Sequence, residues 1–140
     1  MAAVLGSLVG GSATFATAWV TQRTSTKREL VSEELRKRET LYGEFISECS
    51  RLAIDSLGHS IEQPEKIWSA YALLNRIRLS ASQAVVTEGE AILKRITAQY
   101  FSPNVSLDEF RAIALSHEVD LLEPFGSACR TELKAIRTAG

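Results

Sequence analysis

Two acidic residues, Glu44 and Glu48, come nearest in this sequence to a catalytic pattern. They stand four positions apart, so a helix would carry them one turn apart on the same face. Helical bundles that bind two metal ions use paired carboxylates of this kind, but they add Glu-x-x-His pairs from other helices. The sequence has no Glu-x-x-His pair. The pattern therefore predicts a solvated acidic face rather than a metal site.

The two histidines, His59 and His117, lack the spacing of a metal motif. Neither belongs to an H-E-x-x-H sequence, and both are expected in loops near helix ends. No serine lies in a G-x-S-x-G sequence, and no glycine-rich phosphate loop is present. The sequence thus predicts no catalytic residue, no metal site and no cofactor, and it gives no sign of a small-molecule ligand.

The two cysteines, Cys49 and Cys129, are far apart and belong to no C-x-x-C motif. Each falls on the apolar face of a predicted helix. A redox pair is the alternative, but buried, reduced thiols that act as small apolar side chains are the favoured interpretation.

Basic residues of the second and third predicted helices could gather as an anion site; they are Arg76, Arg78, Lys94 and Arg95. No exposed aromatic residues are expected among them, because Trp68 and Tyr71 are predicted to lie in the core. Ordinary surface charge is therefore favoured. The formal net charge is −1, and nucleic acid is not an expected partner.

The apolar pattern that positions these residues is helical throughout, and no segment alternates with the period of a strand. From Gln22 to Leu57 no proline intervenes, so the N-terminal segment is predicted to continue into one long helix. A second helix is predicted from about Glu65 to Leu79. Its expected inward-facing residues are Ile67, Trp68, Tyr71, Leu74 and Ile77.

Three capping boxes predict where the later helices begin. The residue pairs are Ser80 with Gln83, Ser106 with Glu109, and Asp120 with Glu123. Gly58 is predicted to end the first helix, and Pro103 with Asn104 to end the third. The predicted fold is all-α: an N-terminal transmembrane helix that continues into a long helix, followed by a small antiparallel helical bundle.

The N-terminal stretch from Met1 to Gln22 carries no charged side chain. As a helix it would reach about 30 Å, the thickness of a bilayer hydrocarbon core. We therefore expect a transmembrane anchor over residues 1–22, a juxtamembrane helix over 23–40 and a cytoplasmic bundle over 41–140. Arg23, Lys27 and Arg28 follow the apolar run and are expected at the membrane surface. By the positive-inside rule they keep the C-terminal portion in the cytoplasm, which predicts a single span of the inner membrane.

Small residues within this run predict a helix–helix contact in the membrane. The expected contact residues are Gly6, Ser7, Gly10, Gly11 and Thr14. Gly6 and Gly10 form a G-x-x-x-G sequence, which lets two backbones approach closely. The expected partner is a second copy of the chain or another membrane protein.

A secretory signal peptide is the competing interpretation, because Ala16, Thr17 and Ala18 have the small-x-small pattern of a cleavage site. However, no Lys or Arg precedes the apolar run, and Gly10, Gly11 and Ser12 interrupt it. An uncleaved anchor is therefore favoured over export with cleavage after Ala18.

Three stretches carry a resemblance to a known group: residues 38–46 (RETLYGEFI), 71–79 (YALLNRIRL) and 100–104 (YFSPN). With the exit Thr21-Gln22-Arg23, the chain resembles a group of short, uncharacterised bacterial proteins with one N-terminal span and a helical cytoplasmic tail. The resemblance implies this architecture and no activity.

The expected function is therefore that of a membrane-anchored helical interaction or scaffold module without catalytic activity, which self-associates. The alternative is a small enzyme or ligand-binding bundle tethered to the membrane, with a site built from Arg76, Arg78, Glu44 and Tyr71. Convergent charged groups in a pocket between the first two helices would favour that alternative.

Overall fold

The computed structural model describes the backbone of residues 2–58, 65–102, 106–115 and 120–140. It describes side chains from residue 17 onwards in these ranges, except at 110 and 113–115. Five helices occupy this part of the chain: α1 (Ala2–Gly58), α2 (Glu65–Ser80), α3 (Gln83–Tyr100), α4 (Leu107–Leu115) and α5 (Glu123–Ala139). The all-α prediction, with a long first helix and a bundle, is confirmed. His59, His117, Pro103 and Asn104 lie outside the described residues.

Helix α1 runs without a break for 57 residues, a length of about 85 Å at 1.5 Å per residue. Residues 17–30 are exposed on every side. Beyond them the helix enters the bundle, and its core stripe starts at Leu41 and Tyr42. The absence of proline allows this continuity. Gly43, the one glycine between Gln22 and Leu57, lies on the exposed face.

The core is built from α1, α2, α3 and α5. Helices α1 and α3 each pack against the three other helices of this group. The centre of the Phe45 ring on α1 lies 5.0 Å from the centre of the Phe125 ring on α5. Gly89 on α3 faces both rings, and a Cβ added there would lie 2.9 Å from Leu74 Cδ1. Glycine at this position therefore lets α3 approach its neighbours closely.

Polar pairs between the helices define their directions. Glu44 on α1 pairs with Arg76 on α2, and Asp55, further along α1, pairs with Lys66, earlier on α2. Helices α1 and α2 are therefore antiparallel. Asp55 also accepts a hydrogen bond from Tyr100 at the end of α3. The bundle end near Asp55 is thus distal to the N-terminus, and Gly140, after α5, lies back against Val31.

The predicted inward face of α2 was partly wrong. Its buried residues are Ile67, Ala70, Leu74 and Ile77. Trp68 is 75% exposed and Tyr71 46% exposed. The buried positions recur at intervals of three and four residues, and each aromatic residue lies one position after a buried one, about 100° around the helix. Spacing, rather than the apolarity of each residue, decides which side faces the core.

One predicted capping box is confirmed. The Ser106 N–H donates to Glu109 Oε2 at 2.9 Å, and the Glu109 N–H donates to Ser106 Oγ at 3.3 Å. The box at Ser80 was wrong, because α2 continues through Ser80 and the N-cap of α3 is Ser82. The box at Asp120 was also wrong, because the N-cap of α5 is Leu122; the Asp120 carboxylate accepts a hydrogen bond from the Leu122 N–H instead.

Candidate functional site

The most buried carboxylate among the ion pairs of the described residues belongs to Glu132 on α5, whose side chain is 8% exposed. It accepts hydrogen bonds from the Tyr42 hydroxyl on α1 and from the backbone N–H of Ser82. Arg38 Nη1 lies 3.1 Å from Glu132 Oε1. One carboxylate thus joins α1, α5 and the start of α3. We call Arg38, Tyr42, Ser82 and Glu132 the Glu132 cluster.

Glu132 completes the N-terminus of α3. Ser82 is in an extended conformation and makes no side-chain capping bond. In a capping box, a Glu or Gln at the third helical position would accept the N-cap N–H. That position is Val85, which is fully buried in the core. Glu132 supplies the missing acceptor from a different helix.

Burial and the facing charge affect both partners of Glu132. Burial raises the pKa of Tyr42, and the hydrogen bond to Glu132 raises it further. For Arg38, burial acts to lower the pKa, but hydrogen bonds to Glu34 and Tyr42 and the charge of Glu132 outweigh it and raise the pKa. Tyr42 stays protonated and Arg38 stays charged.

Glu44 and Glu48, the predicted acidic face, do not act as a pair, because each one has a different basic partner. Glu44 Oε2 lies 3.2 Å from Arg76 Nη1, whereas Glu48 Oε1 lies 2.6 Å from Arg51 Nη2 and also accepts a hydrogen bond from Ser69. The hydrogen bond to Arg51 lowers the pKa of Glu48 against the opposing effect of burial. Across the residues that the structure describes, no group of three or more His, Cys, Asp and Glu residues is arranged to hold a metal ion.

The four basic residues considered as an anion site do not converge. Arg76 pairs with Glu44 on α1. Arg78 Nη2 lies 2.9 Å from Glu90 Oε1 on α3. Lys94 and Arg95 are exposed on a later turn of α3. This surface therefore presents separate ion pairs rather than one positive patch.

Both thiols are buried, as predicted: Cys49 is 0% and Cys129 5% exposed. Burial raises the pKa of each to about 12. A thiolate is the nucleophilic form of cysteine, so neither residue has the chemistry of a catalytic nucleophile at neutral pH.

A groove of about 430 Å³ lies between α1 and the C-terminal end of α2. Basic residues dominate its lining, with Arg36, Lys37 and Arg38 from α1 and Arg76 from α2. Lys37 pairs with Glu33 at 2.9 Å, and Arg38 pairs with Glu34 at 2.7 Å. Local carboxylates thus offset most of the positive charge. Tyr71, the aromatic residue of the predicted alternative site, is not among the lining residues.

The exposed segment of α1 has an aromatic and basic face. The Arg23 guanidinium carbon lies 5.2 Å from the centre of the Trp19 ring, within the distance of a cation–π interaction. Lys27 and Leu30 line the same face. The predicted surface residues Arg23, Lys27 and Arg28 are all exposed. The side chains of the predicted contact residues Gly6, Ser7, Gly10, Gly11 and Thr14 lie outside the described residues.

Helix α2 turns a second apolar surface to solvent. Trp68, Ala72, Asn75 and Leu79 follow one another at intervals of four, three and four residues, and all four are exposed. We call these four residues the α2 stripe. Tyr71 adjoins it, and Leu79 is 87% exposed. Large exposed apolar side chains on one helix face are typical of a contact surface.

Sequence reasoning missed Glu132. A signal was present, because Phe125, Cys129 and Glu132 follow the four-and-three spacing of a buried helix face. A carboxylate at such a position needs donors from neighbouring helices. Arg38 and Tyr42 meet that need, but their long-range contact with Glu132 has no local sequence pattern.

Among the residues that the structure describes, no helix is long and apolar enough to cross a membrane. Comparison of the chain with protein-family models, with curated proteins and with solved structures finds no match.

Proposed function

We propose that the protein is a membrane-anchored helical interaction module that self-associates and has no catalytic activity. Residues 1–22 would cross the inner membrane once, and residues 41–140 would form a bundle on the cytoplasmic side. The juxtamembrane helix, residues 23–40, would hold the bundle away from the lipid.

The observation that carries this proposal is the continuity of α1 through the point where its charges begin. The uncharged run leads directly, without a turn, into an exposed rod that bears Trp19 and Arg23 in contact. Tryptophan is enriched at the interface between bilayer and water, and basic residues are enriched on the cytoplasmic side. Arg23, Lys27 and Arg28 would lie beside anionic lipid headgroups.

The sequence of the apolar run supports self-association. Gly6, Gly10 and Gly11 leave little side-chain volume, so two helices would pack closely there, with Ser7 and Thr14 beside the contact. The partner is a second copy of the chain or a helix of another membrane protein.

Membrane fractionation tests the anchor. We expect the intact chain to stay with membranes after washing with salt and to need detergent for release. Replacement of Leu8 and Val9 by Lys should move the chain to the soluble fraction, because a charge at the centre of a span costs about 2.5–3.5 kcal/mol. Replacement of the exposed Lys94 by Glu is the matched control and should not change the fraction in which the chain is found.

An intact wild-type chain that is released by salt alone would exclude the anchor. The mass of the mature chain would show whether cleavage after Ala18 occurs.

The groove between α1 and α2 supports a second candidate, a tethered ligand-binding bundle. Although carboxylates offset most of its positive charge, Arg36 on α1 and Arg76 on α2 line it from two helices and would hold a small anion such as inorganic phosphate. Titration with phosphate, followed through the NMR signals of Arg36 and Arg76, tests this candidate. Saturable shifts at these residues, absent at Arg95, would favour it over the interaction module.

A further inference from the structure

The α2 stripe has the spacing of a two-helix seam. Its four residues repeat at intervals of four, three and four, the pattern by which two helices pack side by side. The opposite face of α2 is already buried through Ile67, Ala70, Leu74 and Ile77. One side of α2 is therefore buried in the core of the bundle, and the α2 stripe lies exposed on the other side.

The bilayer that would hold the anchor is out of reach of this stripe. Ser69, next to Trp68, hydrogen-bonds to Glu48 on α1. Glu48 follows Val20 by 28 positions on one unbroken helix, an axial distance of about 42 Å. With α1 rising from the membrane, the α2 stripe stands well above the headgroups. The bilayer that would hold the anchor therefore does not reach the stripe.

We infer that a second copy of the chain, anchored in the same membrane, covers the α2 stripe by packing its own α2 alongside in parallel. The inference rests on the proposed membrane anchor, which fixes the orientation. Two chains that leave one membrane are related by an axis along the membrane normal, so equivalent helices run in the same direction. Trp68, Ala72 and Leu79 then meet their own equivalents.

The residues that flank the seam suit this parallel arrangement. Asn75 occupies a d-type position within the seam, and its Oδ1 accepts a hydrogen bond from Arg78 of the same helix. Tyr71 and Arg76 flank the seam five positions apart, so that Tyr71 of one copy lies beside Arg76 of the other. The aromatic ring and the guanidinium, which is 59% exposed, form a complementary cation–π pair.

The size of the stripe predicts a contact that depends on the shared membrane. A stable dimer between soluble proteins buries about 800 Å² on each partner, whereas one 16-residue helix face with a few large apolar side chains offers less. Tethering two copies in one bilayer raises their effective concentration and compensates for a weak contact.

Disulfide cross-linking of the full chain in lipid vesicles tests the inference. Ala72→Cys places a thiol within the seam, and Ala91→Cys places one on the exposed face of α3 as the matched control. The native thiols are buried and do not compete. Under mild oxidation we expect Ala72→Cys to form dimers at least 10-fold faster than Ala91→Cys. Trp68→Glu should remove that difference, whereas Leu107→Glu, at another exposed leucine, should preserve it.

Equal cross-linking rates for the two cysteine variants, with the chain floating with the vesicles, would overturn this inference and leave the anchor intact. Ala72→Cys that neither cross-links nor reacts with a water-soluble alkylating reagent would place the stripe on lipid and also overturn it. A chain that fails to float would overturn both the anchor and the inference.

Discussion

The Tyr42 hydroxyl on α1 donates a hydrogen bond to the Glu132 carboxylate on α5, 90 positions further along the chain. The pair ties the long helix to the last one at the end of the bundle nearest the exposed rod. Tyr42→Phe should destabilise the fold by about 1–2 kcal/mol, because it removes one hydrogen bond to a charged group. Urea unfolding of the variant and the wild type would measure the difference.

Glu132→Ala should cost more, roughly 2–4 kcal/mol, because it removes the acceptor of Tyr42 and of the Ser82 N–H and leaves Arg38 without that partner. Glu132→Gln keeps the shape and one acceptor oxygen, and should fall between Tyr42→Phe and Glu132→Ala. If Glu132→Ala were no more destabilising than Tyr42→Phe, the carboxylate would not be the centre of the cluster.

The all-α bundle with its long first helix was predictable because helix periodicity and capping are local. The stretch from Gln22 to Leu57, which contains no proline, predicted the long helix. The capping box of Ser106 and Glu109 predicted the start of α4. The errors arose where tertiary packing, rather than local sequence, determines which residues are buried. Trp68 and Tyr71 are apolar enough for the core, but α1 and α3 cover only the side of α2 that carries Leu74 and Ile77.

The Glu132 cluster shows the same limit. Val85 occupies the position where a local capping partner would stand, and the acceptor comes from α5 instead. No sequence pattern within α3 indicates that this acceptor lies on α5. The predicted membrane contact through Gly6 and Gly10 stays a prediction, since the structure describes only the backbone of residues 2–16.

Two glycines should respond in opposite directions to alanine. Gly89→Ala places a Cβ 2.9 Å from Leu74 Cδ1, close to the rings of Phe45 and Phe125. This overpacking should destabilise the fold by about 1–3 kcal/mol. Gly43→Ala meets no atom within 4 Å and should stabilise α1 by about 0.5–1 kcal/mol. Thermal unfolding compares them. Stabilisation by Gly89→Ala would contradict the close approach of α3.

The thiols of Cys49 and Cys129 should react slowly with a water-soluble alkylating reagent in the folded chain and rapidly after denaturation. Both are buried, with pKa values raised to about 12, so the thiolate is scarce and inaccessible. The exposed cysteine of Ala91→Cys provides an internal standard for reagent activity. Rapid labelling of either native thiol in the folded protein would place that helix face at the surface.

The same thiols predict a loss of stability at alkaline pH. Their folded pKa values of about 12 exceed the ordinary value of 9.0. Their contribution is therefore fully present below about pH 9 and is lost as the pH rises towards 12, because the unfolded chain releases the protons first. The raised pKa values of Tyr42 and Tyr100 act in the same direction. Urea midpoints between pH 8 and pH 11 should fall, and less steeply in Cys49→Ala. A flat profile would contradict the burial of these groups.

The last prediction separates packing from hydrophobicity in the proposed anchor. If Gly10 and Gly11 line a contact between two spans, their replacement by Leu should force the backbones apart and weaken self-association by on the order of 1 kcal/mol or more. Membrane partitioning should improve, because both changes make the run more apolar. Cross-linking in detergent reports the first effect, and fractionation reports the second. Loss of the dimer with retained partitioning is the expected result.

As a control, Leu5→Ile and Val9→Leu change the same run while keeping its glycines, and should leave the dimer unchanged. Equal dimer yields in the wild type and the double leucine variant would exclude the glycine face as the contact. A wild-type chain that stays monomeric at every concentration would point instead to a span of another membrane protein as the partner.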